Sequence, residues 1–267
     1  VTSIAEACRA VLLAGDPKAK VKAARAAAKA WRRGALDHRF DTAMPARPAR
    51  PERPELRPPR LMPRRGRAGS ARGRIAMLHA LAHIEFVAID LAFDMAGRFG
   101  AWFPRAFVDD WLAVGADEAM HFALLDRRLK ALGADYGALP AHDGLWEAAA
   151  DTARDPLARL AVVPMVLEAR GLDVTPAILA AFARAGDARS AAILARIYRD
   201  EIRHVAAGTF WFRFGCESRG IAPIPHWRAL LRTHFRGGLK PPFNDSARDQ
   251  AGLSREFYEG VAGVELV

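Results

Sequence analysis

DEAMHF at residues 117–122 and DEIRHV at 200–205 are two copies of one pattern, Asp-Glu-x-x-His, and the fold follows from how they are read. Each copy has a glutamate 33 residues upstream, Glu85 before Glu118 and Glu168 before Glu201. On a helix, residues three apart share a face, so Glu118 with His121, and Glu201 with His204, can each aim two ligand atoms at one point. The resulting order is E, ExxH, E, ExxH. Four glutamates and two histidines projected into the core of a four-helix bundle are the donor set of a dinuclear iron or manganese site.

A single Glu-x-x-His pair is weak, since roughly 0.4 such pairs arise by chance in a chain of this composition. Here both pairs carry the preceding Asp, and both upstream glutamates are followed five positions later by an aspartate, Asp90 and Asp173. The two halves read as a diverged internal repeat. The helical neighbours of the candidates agree. Glu85 shares its face with Leu78, Leu81, Ala82, Ala88, Ile89 and Ala92, whereas a solvent-facing glutamate has polar neighbours at those spacings. Trp111, Val114, Phe122 and Leu125 flank Glu118, and Leu194, Ile197 and Val205 flank Glu201. Carboxylates in apolar stripes are costly, but four of them with two divalent ions sum to zero charge. Glu168 rests mainly on the repeat, because Pro164 and Gly171 on its face predict a kink or a helix end nearby.

Helical periodicity places ligand helices over about 70–99, 104–132, 155–172 and 187–214, with a short helix capped by Thr175 and Pro176. The 50 residues from Glu118 to Glu168 leave room for a long crossover. The expected fold is therefore all-α, a ferritin-like four-helix bundle over 70–215. Before it come an N-terminal helical segment over 1–42 and a Pro/Arg-rich linker or arm over 43–69, where repeated proline favours an extended chain. After it comes a loop-rich tail over 216–267, containing GGLKPPFNDSARDQAGLSREF, which covers one end of the bundle or merely decorates it.

Charge divides the chain unevenly. Residues 1–75 hold 19 Lys+Arg against 6 Asp+Glu, and the rest is mildly acidic. A basic segment can touch nucleic acid or an anionic surface. Yet the cations are 34 Arg and 6 Lys in an Ala-rich chain, a composition that a GC-rich genome produces without any partner. No apolar run reaches the ~18 residues of a membrane span, and the first residues lack the features of a signal peptide. The expectation is a soluble cytoplasmic protein with Cys8 and Cys216 as free thiols.

PERPELRPPRLMP, HALAHIEFVAIDLAFD, DWLAVGADEAMHF, YGALPAHDGLWE, VLEARGLDVTP and IYRDEIRHVAAGTFWF together resemble the bacterial ferritin-like proteins grouped as domain of unknown function 455, over about residues 50–245. The resemblance implies a ferritin-like fold with a dinuclear metal centre. More distantly the pattern is similar to rubrerythrins, bacterioferritins, the small subunit of ribonucleotide reductase and the tRNA hydroxylase acting on a prenylated adenosine. That similarity implies that Glu118 and Glu201 bridge the metals, with Glu85 and His121 completing one ion and Glu168 and His204 the other.

Asp117 and Asp200 are candidates to accept the second ring N–H of a ligand histidine, or are helix-surface acids. Tyr198 can donate a proton or electron at the site, or is a core residue with its hydroxyl satisfied. His79, His83 and His142 fall outside the ligand set. The expected function is a di-iron carboxylate oxidoreductase using O2 or peroxide on a small substrate, with manganese an alternative metal, as a monomer or small oligomer. Ferrous-ion oxidation or storage, tRNA hydroxylation, and a metal-bound scaffold without catalysis are the competing expectations.

Overall fold

The computed structural model describes residues 2–62 and 68–261; residues 63–67 of the Pro/Arg stretch and 262–267 of the tail lie outside it. The described residues are helical, with isolated bridges and no strand. In chain order the helices are α1 (Ile4–Leu13), α2 (Pro17–Arg32), α3 (Ala71–Phe99), α4 (Arg105–Ala131), α5 (Gly144–Asp151), α6 (Pro156–Val162), α7 (Ala169–Arg184), α8 (Ala188–Glu217), α9 (Pro223–His234), α10 (Asp245–Gln250) and α11 (Arg255–Tyr258). A π-helical turn, Val163–Glu168, joins α6 to α7. Two compact units result: Val1–Trp146 with Ala181–Ile193, and Glu147–Ala180 with Leu194–Val267.

In the first unit, α3 and α4 pack along each other, α1 packs on α3 and α2 on α4. Local signals set the starts. Ser3 and Glu6 form a reciprocal capping box at α1, and Asp16 caps α2 with Pro17 in the first turn. Ser70 Oγ accepts from Gly73 N at 3.0 Å to start α3. The buried face of α2 is Ala24, Ala27, Ala28 and Trp31, and the Trp31 indole donates to Asp109 on α4 at 2.6 Å. α3 is long and apolar enough, on length and composition alone, to cross a membrane, but 67% of that stretch is buried inside the fold. It reads as the core helix of a globular unit. The residues before it form a fastened arm: Ala46 O accepts from the Trp146 indole, Arg47 pairs with Asp143, and Arg57 N donates to Ala141 O at 2.8 Å.

In the second unit, Pro164 has no N–H to give, and the ladder shifts from the α to the π pattern across Val163–Glu168. The Trp227 indole on α9 donates to the Ala161 carbonyl at 3.2 Å, just before that shift. The kink expected from Pro164 thus takes the form of a π turn. Gly208 of α8 packs directly on Pro164; a Cβ there would lie 2.4 Å from the ring. The expected helix start at Thr175 and Pro176 is instead the interior of α7. A proline inside a helix orphans the carbonyl four residues before it, here Leu172. Asn244 of the tail repairs this, its Nδ2 donating to Leu172 O at 3.1 Å. Arg228 of α9 holds the end of the chain by donating to the carbonyls of Glu256, Phe257 and Glu259.

Candidate metal centre

Glu85 sits midway along α3, and Glu118 and His121 one turn apart on α4. All three are buried, at 5%, 1% and 0% exposure, so water does not compensate their charge. Each offers a ligand atom within 4.8 Å of the others. His121 Nδ1 donates to Glu85 Oε2 at 3.2 Å and to Glu118 Oε2 at 3.3 Å. Burial alone would lower the imidazole pKa. The hydrogen bonds and charges of Glu118 and Glu85 outweigh it and raise the value to about 11. The cluster therefore holds a positive charge at His121 when no metal is counted, as expected of a donor set built for a cation. Two carboxylates and an imidazole, desolvated and convergent, fit iron, manganese or zinc.

Aromatic rings close the surroundings on the next residues in sequence. Phe86 and Phe122 lie 5.3 Å apart, and Tyr136 packs against Phe122 at 5.0 Å. Such an apolar shell limits water access. His83, pointing away from Glu85 as its position implies, bonds the Tyr136 hydroxyl at 2.9 Å, and His79 Nε2 accepts from Gly137 N at 2.9 Å. Both histidines are engaged elsewhere.

In the second unit, Glu201 and His204 are buried on α8, with His204 Nδ1 3.5 Å from Glu201 Oε1. Glu168 closes the π turn and is half-buried. Of the two aspartates preceding the motifs, Asp117 is half-buried, while Asp200 accepts from Arg196 Nε at 2.6 Å and Arg203 Nη2 at 2.5 Å on its own helix. Tyr198 is half-buried and its hydroxyl accepts from Asn244 Nδ2 at 2.9 Å.

What the sequence did not reveal is how Asp90 and Asp173 are neutralised. Asp90, on α3, meets Lys20 of α2 at 2.5 Å, in a pair wholly closed to solvent, and also Arg50 of the arm. Burial pushes Lys20 down and Asp90 up, each opposed by the charge of the other. Asp173, on α7, takes a fork from Arg248 of α10, Nε to Oδ1 at 2.8 Å and Nη2 to Oδ2 at 2.7 Å. The two aspartates were visible as a repeated signal. Their partners were not, because one lysine in an Ala-rich helix and one arginine among 34 carry no mark of burial.

A family model described as protein of unknown function (DUF455) matches residues 13–259. The chain is 42% identical over 213 residues to an uncharacterized protein of Haemophilus influenzae, a stretch covering 78% of this chain and 74% of that one. No solved structure matches the chain.

Proposed function

The chain belongs to the DUF455 family, and we propose from its own residues that it is a ferritin-like di-iron carboxylate oxidoreductase, using O2 or peroxide to oxidise a small organic substrate. One observation carries the reading: His121 held between two buried glutamates from two helices, in a set repeated along the chain. Glu168, Glu201 and His204 each stand 83 residues after Glu85, Glu118 and His121. In this proposal Glu85, Glu118 and His121, with Glu168, Glu201 and His204, would be the residues that hold the metal.

A ferrous pair, when bound, supplies the electrons that reduce O2 or peroxide; manganese suits the same donors. The protein's own part begins with a proton. His121 Nδ1 must lose the one shared with Glu85 and Glu118 before that nitrogen can act as a ligand, so metal uptake releases protons. Phe86, Phe122 and Tyr136 exclude water beside the ligands, and the bond to His83 holds the Tyr136 ring in place.

The test is titration with Fe(II) in air, with elemental analysis before and after. Protein from iron-supplied cells should hold about two transition-metal ions per chain and saturate there. Glu118→Ala should lose both ions, while Glu85→Ala mainly weakens one. Uptake continuing far beyond that ratio would replace the oxidase with iron storage. A loaded centre inert to O2 and to peroxide would leave only a scaffold.

A further inference from the structure

The tail stretch around GGLKPPF forms one wall of a cavity of about 260 Å³ in the second unit. The opposite wall is the π turn, through Val166 and Leu167, immediately before Glu168. Val166 and Leu239 are buried and Phe235 half-buried, so the interior is apolar. The charges are one-sided. Arg170, Arg236, Lys240 and Arg248 line the space, and its one acid is Asp173. Asp173 is spent on Arg248 through the fork described above. Arg236 and Lys240 are exposed and have no acidic partner among the described residues.

Arg170 is set in place. Its Nη1 donates to Lys240 O at 2.6 Å and to Pro242 O at 3.3 Å, and lies 3.5 Å from Asp173. Its Nε and Nη2 have no partner among the described residues, so a preformed donor edge is left over. Gly237, at φ +127°, has nothing within 4 Å of where a side chain would begin, so the backbone at this wall stays accessible. Apolar walls with a few convergent charged donors are the composition of a small-molecule site.

We propose that this cavity binds a small amphipathic anion, its apolar body against Val166, Leu167, Phe235 and Leu239 and its acidic head between Arg170, Arg236 and Lys240. The site stands apart from the metal reading: no metal ligand lines it, and it needs no metal to bind. Carboxylates and phosphate monoesters share the head-group chemistry required.

Equilibrium dialysis of the full chain against octanoate, octyl phosphate and octylamine tests it, with metal content recorded for every preparation. Both anions should bind one per chain, the tighter of the two identifying the head group, and octylamine at least about tenfold more weakly. Arg236→Glu combined with Lys240→Glu changes two exposed side chains, so the fold persists. It should weaken the anions by at least about tenfold, with circular dichroism and metal content unchanged. Binding of octylamine as tight as octanoate, anion binding indifferent to the double substitution, or no binding of any probe would overturn the proposal. Metal content separates this failure from failure of the di-iron reading.

Discussion

Asp90 and Asp173 hold the same place in the two halves, five residues after Glu85 and Glu168, and both side chains are closed to water, yet opposite ends of the chain neutralise them. The first half uses a point charge, Lys20, beside Arg50 of the arm. Lys20 spends its three donors on Asp90 and on the last carbonyls of α1, Val11 O at 3.1 Å and Leu12 O at 3.4 Å. The second half uses the planar fork of Arg248, with a backbone N–H from Asn244 completing Asp173 at 2.9 Å. The segments outside the repeat are therefore not ornament. A buried aspartate five residues after a candidate metal ligand needs a counter-charge from elsewhere, and each half draws it from its own side of the repeat.

The largest expected effect comes from breaking either pair. Asp90→Ala strands Lys20, and Asp173→Ala strands Arg248, each a cation with almost no exposure. Each substitution should cost about 3–5 kcal/mol in urea unfolding, because an unpaired buried charge remains. A cost in one half only would show that the parity of the two pairs is formal rather than energetic.

Smaller effects distinguish the halves at their tightest helix contacts. A Cβ at Gly115 would meet the Phe93 ring at 2.5 Å, and one at Gly208 would meet Pro164 at 2.4 Å. Gly208→Ala should destabilise by about 1–3 kcal/mol, since a proline ring fixed in a π turn has nowhere to go. Gly115→Ala should cost less, because Phe93 can turn about its own side-chain bonds. Thermal melts of the two variants side by side check the order. The reverse order would place the rigid contact in the first half.

The effect that vanishes at neutral pH belongs to the first half alone, for position 79 is histidine and its counterpart, 83 residues on, is Val162. Burial lowers His79 from 6.5 to about 4. Between those values the unfolded chain binds the extra proton, so the contribution is complete above about pH 6.5 and is lost as the pH falls to about 4. Unfolding measured across this window should show the loss in the native sequence, and a shallower dependence in His79→Gln. Identical pH profiles would remove His79 as the cause.

Much of the helical frame was legible in the sequence. Apolar stripes around Glu85, Glu118 and Glu201 mark buried faces, and α3, α4 and α8 lie where the stripes run. The stretch between them was harder, for a physical reason. Pro176 reads locally as a helix start, but α7 runs through it because Asn244 satisfies the carbonyl that proline orphans, 72 residues away in sequence. Pro164 announced a disturbance without saying that the ladder would widen into a π turn. The convergence of Glu85 with Glu118 and His121 followed from the Glu-x-x-His spacing and from the apolar stripes that turn both carboxylates inward. The cations on Asp90 and Asp173 could not be read, since burial of one basic residue among 40 is decided by tertiary packing.

Lys20 lies 70 residues before Asp90, and Arg248 lies 75 after Asp173, so the two pairs close at different times as the chain is made. A chain leaving the ribosome already carries the first counter-charge when Asp90 emerges. Asp173 emerges with the half-exposed Arg170 beside it, and waits for the 75 further residues that bring Arg248. A product truncated before Arg248 thus contains all six candidate ligands and still lacks the cation that forks the Asp173 carboxylate. Limited proteolysis should therefore cut α7 sooner in such a truncated product than in the chain that carries Arg248.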